Sequence, residues 1–164
     1  MAILPILSYP DPRLRQPCRA VEVFDTRLAT LAEDLASTMR AAPGIGITAA
    51  HVGILERLTV IELDGPGSLR VFVNPHIEWF SPEGQRHAEG SVSMPGVTDE
   101  VERPARIRLT YQDLSGARKT EEADGLLSVC LQHEIDQLDG IFWIDRLSRL
   151  KRERIVKKYN KSKA

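Results

Sequence analysis

The chain has 164 residues, 42% hydrophobic and 27% charged, the make-up of a single domain (1–164) with an apolar core rather than of a disordered segment. Its net charge of -1 excludes a molecule drawn as a whole to nucleic acid, and two cysteines, Cys18 and Cys130, are too few for a disulfide framework or zinc ribbon, so a reducing compartment is expected. No apolar run is long enough to span a bilayer, and Met1-Ala2-Ile3-Leu4-Pro5 lacks the basic-then-apolar order of a secretory leader, so a cytoplasmic protein with no membrane partner is expected.

Tyr9-Pro10-Asp11-Pro12-Arg13-Leu14-Arg15 reads as an extended, turning opening. Asp25 suits an N-cap, and Leu28, Leu31, Ala32, Leu35 and Met39 recur at helical spacing, predicting an amphipathic helix that ends before Pro43. Gly44-Ile45-Gly46 signals a loop. Leu58–Leu63 and Leu69–Trp79 read as strands joined at Asp64-Gly65-Pro66-Gly67. Residues 81–104, rich in Pro, Gly and charge, are expected to be loop-dominated. Ala105, Ile107, Leu109 and Tyr111 alternate with polar residues as in a half-buried strand, and Asp113-Leu114-Ser115-Gly116 turns it into a partner.

Asp124 is placed to cap a second helix running to about Leu138 and stopped by Gly140. Its middle, Leu126-Leu127-Ser128-Val129-Cys130-Leu131, is apolar nearly all round, so the helix belongs in the core. Ser148 is placed to cap a last helix. From Lys151 onward seven basic residues face one acid, giving +6 and leaving -7 for the rest of the chain. Such a helix is either simply solvated or a partner for phosphate, ribosomal RNA included. Mixed helices and strands with hairpin pairing and no alternating strand–helix rhythm give an α+β class.

The chemistry-bearing stretch is Gln132-His133-Glu134-Ile135-Asp136-Gln137 on the buried helix. In zinc hydrolases of the His-Glu-x-x-His type, histidines at i and i+4 share a helical face and bind metal, while the glutamate polarises bound water. Here Gln137 stands at i+4, which reads as a broken zinc motif.

Together with Gly44-Ile45-Gly46-Ile47-Thr48-Ala49-Ala50-His51 and Glu89-Gly90-Ser91-Val92-Ser93, this helix makes the chain resemble the peptide deformylase family. That family has a Gly-x-Gly-x-Ala-Ala-x-Gln loop, a Glu-Gly-Cys-x-Ser segment and a His-Glu-x-x-His helix, in this order. The likeness extends to the Tyr9–Arg15 opening and to Ile144-Asp145-Arg146-Leu147-Ser148. It implies mostly antiparallel strands around a buried central helix, with a C-terminal helix.

The resemblance also implies site roles. The family's metal positions match Ser91, His133 and Gln137, of which only His133 keeps its ligand type. Glu134 matches the catalytic glutamate. His51 matches the glutamine whose amide donates to the formyl oxygen, and Val92 the residue whose backbone N–H helps hold it. Gly44 and Gly46 would let a peptide backbone approach, and Ile45, Val129, Cys130 and His133 would form the slot for an N-terminal methionine. An alcohol and an amide are poor substitutes for a thiolate and an imidazole, so no metal is expected; a bound metal, if any, would be Fe2+ or Zn2+.

Histidine and glutamine are exchanged between positions 51 and 137, so the cavity is expected to hold two histidines, one glutamine and one glutamate. One open arrangement is a relocated metal site on His51 and His133, completed by Glu134, Ser91 or water. The other is a metal-free pocket in which both histidines are hydrogen-bonded. Two functions follow: a binder of N-terminal methionyl or formylmethionyl peptides with weak or no hydrolysis, or a deformylase with a non-standard metal site. The ribosome is a further expected partner, through the basic C-terminal helix.

Overall fold

The computed structural model describes residues 1–163. Asp25 begins the first long helix: its carboxylate accepts the Leu28 N–H at 3.1 Å, closing an orphan donor of the first turn. This helix, α1, spans Thr26–Ala41 and buries Leu28, Leu31, Leu35 and Met39. Its core face lies on the short strand β1 (Gly46–Thr48) and on β2 (Leu58–Ile61). Strands β3 (Arg70–Phe80), β6 (Ile107–Gln112) and β7 (Arg118–Ala123) complete a sheet of order β1-β2-β3-β6-β7, with every neighbouring pair antiparallel. The alternation read in the sequence holds in β6, where Ile107, Leu109 and Tyr111 are buried.

Residues 81–104 depart from the expected loop. They form β4 (Gly84–Ser91) and β5 (Met94–Pro104), a separate antiparallel ribbon paired from Gly84–Pro104 to Ser91–Met94. The apolar signal is thin because charge helps build the buried side: Glu89 and Arg103 are buried alongside Met94, Val97 and Val101. The prolines at 95 and 104 lie near the two ends of β5, where a missing N–H is tolerated.

Helix α2 (Gly125–Leu138) packs against β1 and β2. Leu131 and Ile135 join the core of β3, β6 and β7, and each such burial contributes about 1.5–3 kcal/mol. Asp124 occupies the N-cap position with extended backbone, yet its side chain makes no capping hydrogen bond. Gly140 follows the helix at φ +80, and a Cβ there would sit 2.8 Å from the Arg15 carbonyl oxygen, so only glycine fits.

Ser148 caps the last helix, α3 (Arg149–Ser162), by accepting the Lys151 N–H at 3.3 Å. α3 is docked through Ile155 and Tyr159, which join Phe142, Trp143 and Val101 in a second core. Tyr9 stacks on Phe142 at 5.3 Å and tethers the opening segment there. Among the described residues no helix is long and apolar enough to cross a membrane.

Candidate functional site

A cavity of about 430 Å3 opens between three walls. One is the Gly44-Ile45-Gly46 entry into β1, one is the tip of the β4–β5 ribbon at Ser91 and Val92, and the third is α2 through Val129, Cys130, His133 and Glu134. Gly46 leaves room for Glu134: a Cβ there would lie 2.6 Å from Glu134 Oε2 and force the carboxylate to shift. Ile45 is 46% exposed at the rim, while Val129 and Cys130 are buried. Burial pushes the Cys130 thiol up to about 12, helped by the charges of Glu134 and Glu89, so it stays protonated and packs as a small apolar group.

His51 sits in a one-turn helix, Ala49–Val52, capped by Thr48. The Thr48 N–H donates to His51 Nδ1 at 3.0 Å, and the Thr48 hydroxyl lies 2.9 Å from the same nitrogen. A backbone amide only donates, so Nδ1 is the acceptor and the ring proton sits on Nε2. That Nε2 is buried with no hydrogen-bond partner among the described residues. Burial, then the nearby charge of His133, lowers the His51 pKa to about 3, so the ring is neutral near pH 7.

His133 is held differently. Its Nδ1 lies 2.8 Å from Glu89 Oε1. Both Glu89 oxygens also accept from Arg103, at 2.6 and 2.9 Å. Arg103 reaches Asp136 at 2.9 Å, and Asp136 accepts two bonds from Arg146. Burial alone would raise Glu89, but the bonds from His133 and Arg103 outweigh it and hold the carboxyl at about 2. Burial opposes the His133 cation, yet the charge of Glu134 and the bond to Glu89 win, and its pKa is raised.

Glu134 has neither a capping partner nor a cation bonded to it. Its Oε1 is buried without a hydrogen-bond partner among the described residues, and burial raises its pKa to about 7 against the opposing charge of His133. The cavity therefore brings together a neutral N–H donor, an imidazole anchored on a carboxylate, and a carboxyl that titrates near neutrality. Such a set can hold an acceptor oxygen and give or take one proton.

Gln137 does not join them. Its Nε2 donates to the Leu14 carbonyl oxygen at 2.7 Å, a buried bond that ties α2 to the opening segment. The expected cavity inventory is corrected accordingly: His51, His133 and Glu134 are present, His87 joins them in the lining, the glutamine is absent, and Glu89 stands behind His133. Ser91 lines the cavity, its hydroxyl accepting the Ser93 N–H at 3.1 Å. Among the described residues no group of three or more His, Cys, Asp or Glu is placed to hold a metal ion. Glu89, Arg103 and Thr48 received no role in the sequence reading. Thr48 carried a local signal, three residues before His51, whereas Glu89 and Arg103 become readable only once the ribbon is recognised.

A family model described as Polypeptide deformylase matches residues 3–153. A protein named peptide deformylase-like from Brucella melitensis is 62% identical over 98% of both chains. Agrobacterium fabrum has two relatives: a peptide deformylase-like protein, 58% identical over 99% of both chains, and a peptide deformylase, 43% identical over 99% of this chain and 97% of that one. The crystal structure of a peptide deformylase from Legionella pneumophila superposes with a TM-score of 0.93 at 39% identity, covering 99% of this chain and 96% of that one.

Proposed function

The chain belongs to the polypeptide deformylase family, and from that premise we propose that it binds N-terminal methionyl or formylmethionyl peptides with little or no metal-dependent hydrolysis of the formyl group. Family members act on such peptides with a metal ion, so the first question is whether the residues here fit one. They do not fit well. His51 would have to surrender its Nε2 proton to bind through that nitrogen, and the proton would move to Nδ1, directly against the Thr48 N–H. Ser91 offers a neutral alcohol. Gln137 is committed to Leu14. The observation that carries the reading is this donor set: of the three positions that match the family's metal ligands, only His133 is an imidazole, and the His51 ring beside it presents a protonated Nε2.

The peptide side of the site supports binding. β1 is the edge of its sheet, paired among the described residues with β2 alone, and its glycine entry at 44 and 46 lets a second backbone come close. Ile45, Val92 and Val129 supply apolar surface beside it. Calorimetric titration with the tripeptide Met-Ala-Ser, formylated or free, in the presence of a chelator tests the proposal. Saturable binding without release of formate is expected; no binding of either form would contradict it.

One observation favours a second reading, a deformylase with a non-standard metal site. His133 has its Nδ1 on a carboxylate, as metal-bound histidines do, and Glu134 titrates near 7, as a general base at neutral pH requires. Retention of metal through purification together with formate release would select it. The ribosome is the proposed macromolecular partner, on the strength of the exposed bases Arg154, Lys157, Lys158 and Lys161 of α3.

A further inference from the structure

We propose that two copies of this chain associate edge to edge through β7, antiparallel, with Thr120 on the two-fold axis. The five-stranded sheet ends at β7, which pairs with β6 alone among the described residues, and Arg118, Lys119, Thr120 and Glu122 are exposed there. The hairpin decides which backbone groups face outward. The Asp113 N–H donates to the Ala117 carbonyl at 3.0 Å, and from that closing pair the register runs without a shift through Tyr111–Lys119 and Leu109–Glu121 to Ile107–Ala123. In an antiparallel ladder, hydrogen-bonded pairs alternate with pairs that are not bonded. Lys119, Glu121 and Ala123 therefore direct their N–H and C=O groups to β6, whereas those of Arg118, Thr120 and Glu122 point away from the sheet.

An open edge offers donors and acceptors to any strand, and charge decides which strand fits. Arg118-Lys119-Thr120-Glu121-Glu122 reverses its sign about Thr120. With a second β7 laid antiparallel and Thr120 opposite Thr120, Arg118 of each copy faces the partner's Glu122 and Lys119 faces the partner's Glu121. Side chains alternate between faces along a strand, so each opposed pair also shares a face. This register joins Arg118, Thr120 and Glu122, the residues whose backbone groups are free. Sliding by two residues would set Lys119 against Lys119 or Glu121 against Glu121, and a parallel, in-register alignment would set like charges side by side; each is destabilising. The Glu122 carboxylate already accepts from Arg108 at 3.0 Å and would gain a second guanidinium from the partner. The contact is isologous and closes on itself, so it stops at a dimer. One added strand pairing is a small interface, so the association is weak and reversible.

Sedimentation velocity on the full chain, from about 10 μM to about 1 mM, tests the proposal. The expected result is a reversible rise from monomer toward dimer, weakened about tenfold or more in Arg118→Glu and in Glu122→Arg. An equimolar mixture of those two variants should recover the dimer, because each then meets the opposite sign. Both changes are at exposed positions, and thermal unfolding of each variant checks that the fold is kept. Cross-linking reads the register. Opposed Cα atoms in a hydrogen-bonded pair lie about 5.5 Å apart, within disulfide reach. Thr120→Cys should form an intermolecular disulfide on mild oxidation, and Ser115→Cys in the hairpin loop should not; Cys18 and Cys130 are buried and do not compete. A chain that stays monomeric throughout, a dimer that forms equally well in Arg118→Glu, a mixture that stays apart, or equal cross-linking at 115 and 120 would overturn the proposal.

Discussion

Glu89 and His133 are joined at 2.8 Å across the gap between the β4–β5 ribbon and helix α2. The same carboxylate neutralises Arg103, so one side chain both orients the cavity imidazole and balances a buried guanidinium. Glu89→Gln should lower stability by about 1–3 kcal/mol, less than the loss of a buried pair's only counter-charge, because Asp136 still holds Arg103 at 2.9 Å. Urea denaturation measures this; a loss under about 1 kcal/mol would mean that Asp136 alone balances Arg103.

Glu134 makes stability fall with rising pH. Its folded pKa of about 7 lies above the ordinary 4.5, so between those values the folded chain holds a proton that the unfolded chain has released. The resulting loss is complete above about pH 7 and on the order of 3 kcal/mol across the window. Glu134→Gln should remove it and leave a variant more stable than the parent at pH 8, with little difference at pH 4. His51 acts in the opposite sense. Its pKa is depressed to about 3, so its contribution is present above about 6.5 and is lost as pH falls toward 3. Comparing each variant with the parent isolates its own slope; parallel pH profiles for Glu134→Gln and the parent would contradict the assignment.

The cavity should accept a metal once its donors are changed. Ser91→Cys, Gln137→His and His51→Gln together supply a thiolate and a second imidazole beside His133. Cobalt(II) added to this triple variant is expected to give the intense visible absorption of a thiolate complex, which the parent lacks. The Leu14 carbonyl loses the Gln137 donor in the exchange, at a cost of about 1–3 kcal/mol. A triple variant that folds and still fails to colour would show that the cavity walls cannot close around an ion.

Ribosome docking is testable without removing α3. Truncation after residue 150 would strip Ile155 and Tyr159 from the second core, so charge removal is the cleaner change. Replacing Lys157, Lys158 and Lys161 by glutamine should weaken salt-sensitive co-sedimentation with ribosomes and leave thermal stability nearly unchanged. An unaltered pellet would remove the proposed partner.

Much of the fold was legible in the sequence because its signals are local. Asp25 and Ser148 announce their helices, the 107–111 alternation its strand, and Gly140 the end of α2. The ribbon was hidden because part of its buried side is charged, and Glu89 looks like a surface residue until Arg103 is brought against it. Most of the residues named by motif position line one cavity, but their orientation was not legible. Gln137 turns away from the cavity because of a carbonyl 123 positions earlier in the chain, which no spacing rule reveals. The fixed tautomer of His51 depends on Thr48, only three residues back, and was within reach of a capping analysis.

Without fellow ligands, His133 cannot hold a catalytic metal ion. Metal content of protein purified without chelator, measured by mass spectrometry beside an assay for formate released from a formyl-methionyl peptide, addresses this most directly. The expected result is far less than one transition-metal ion per chain and no formate above background. One tightly held iron, zinc, nickel or cobalt ion per chain with steady formate release would contradict it.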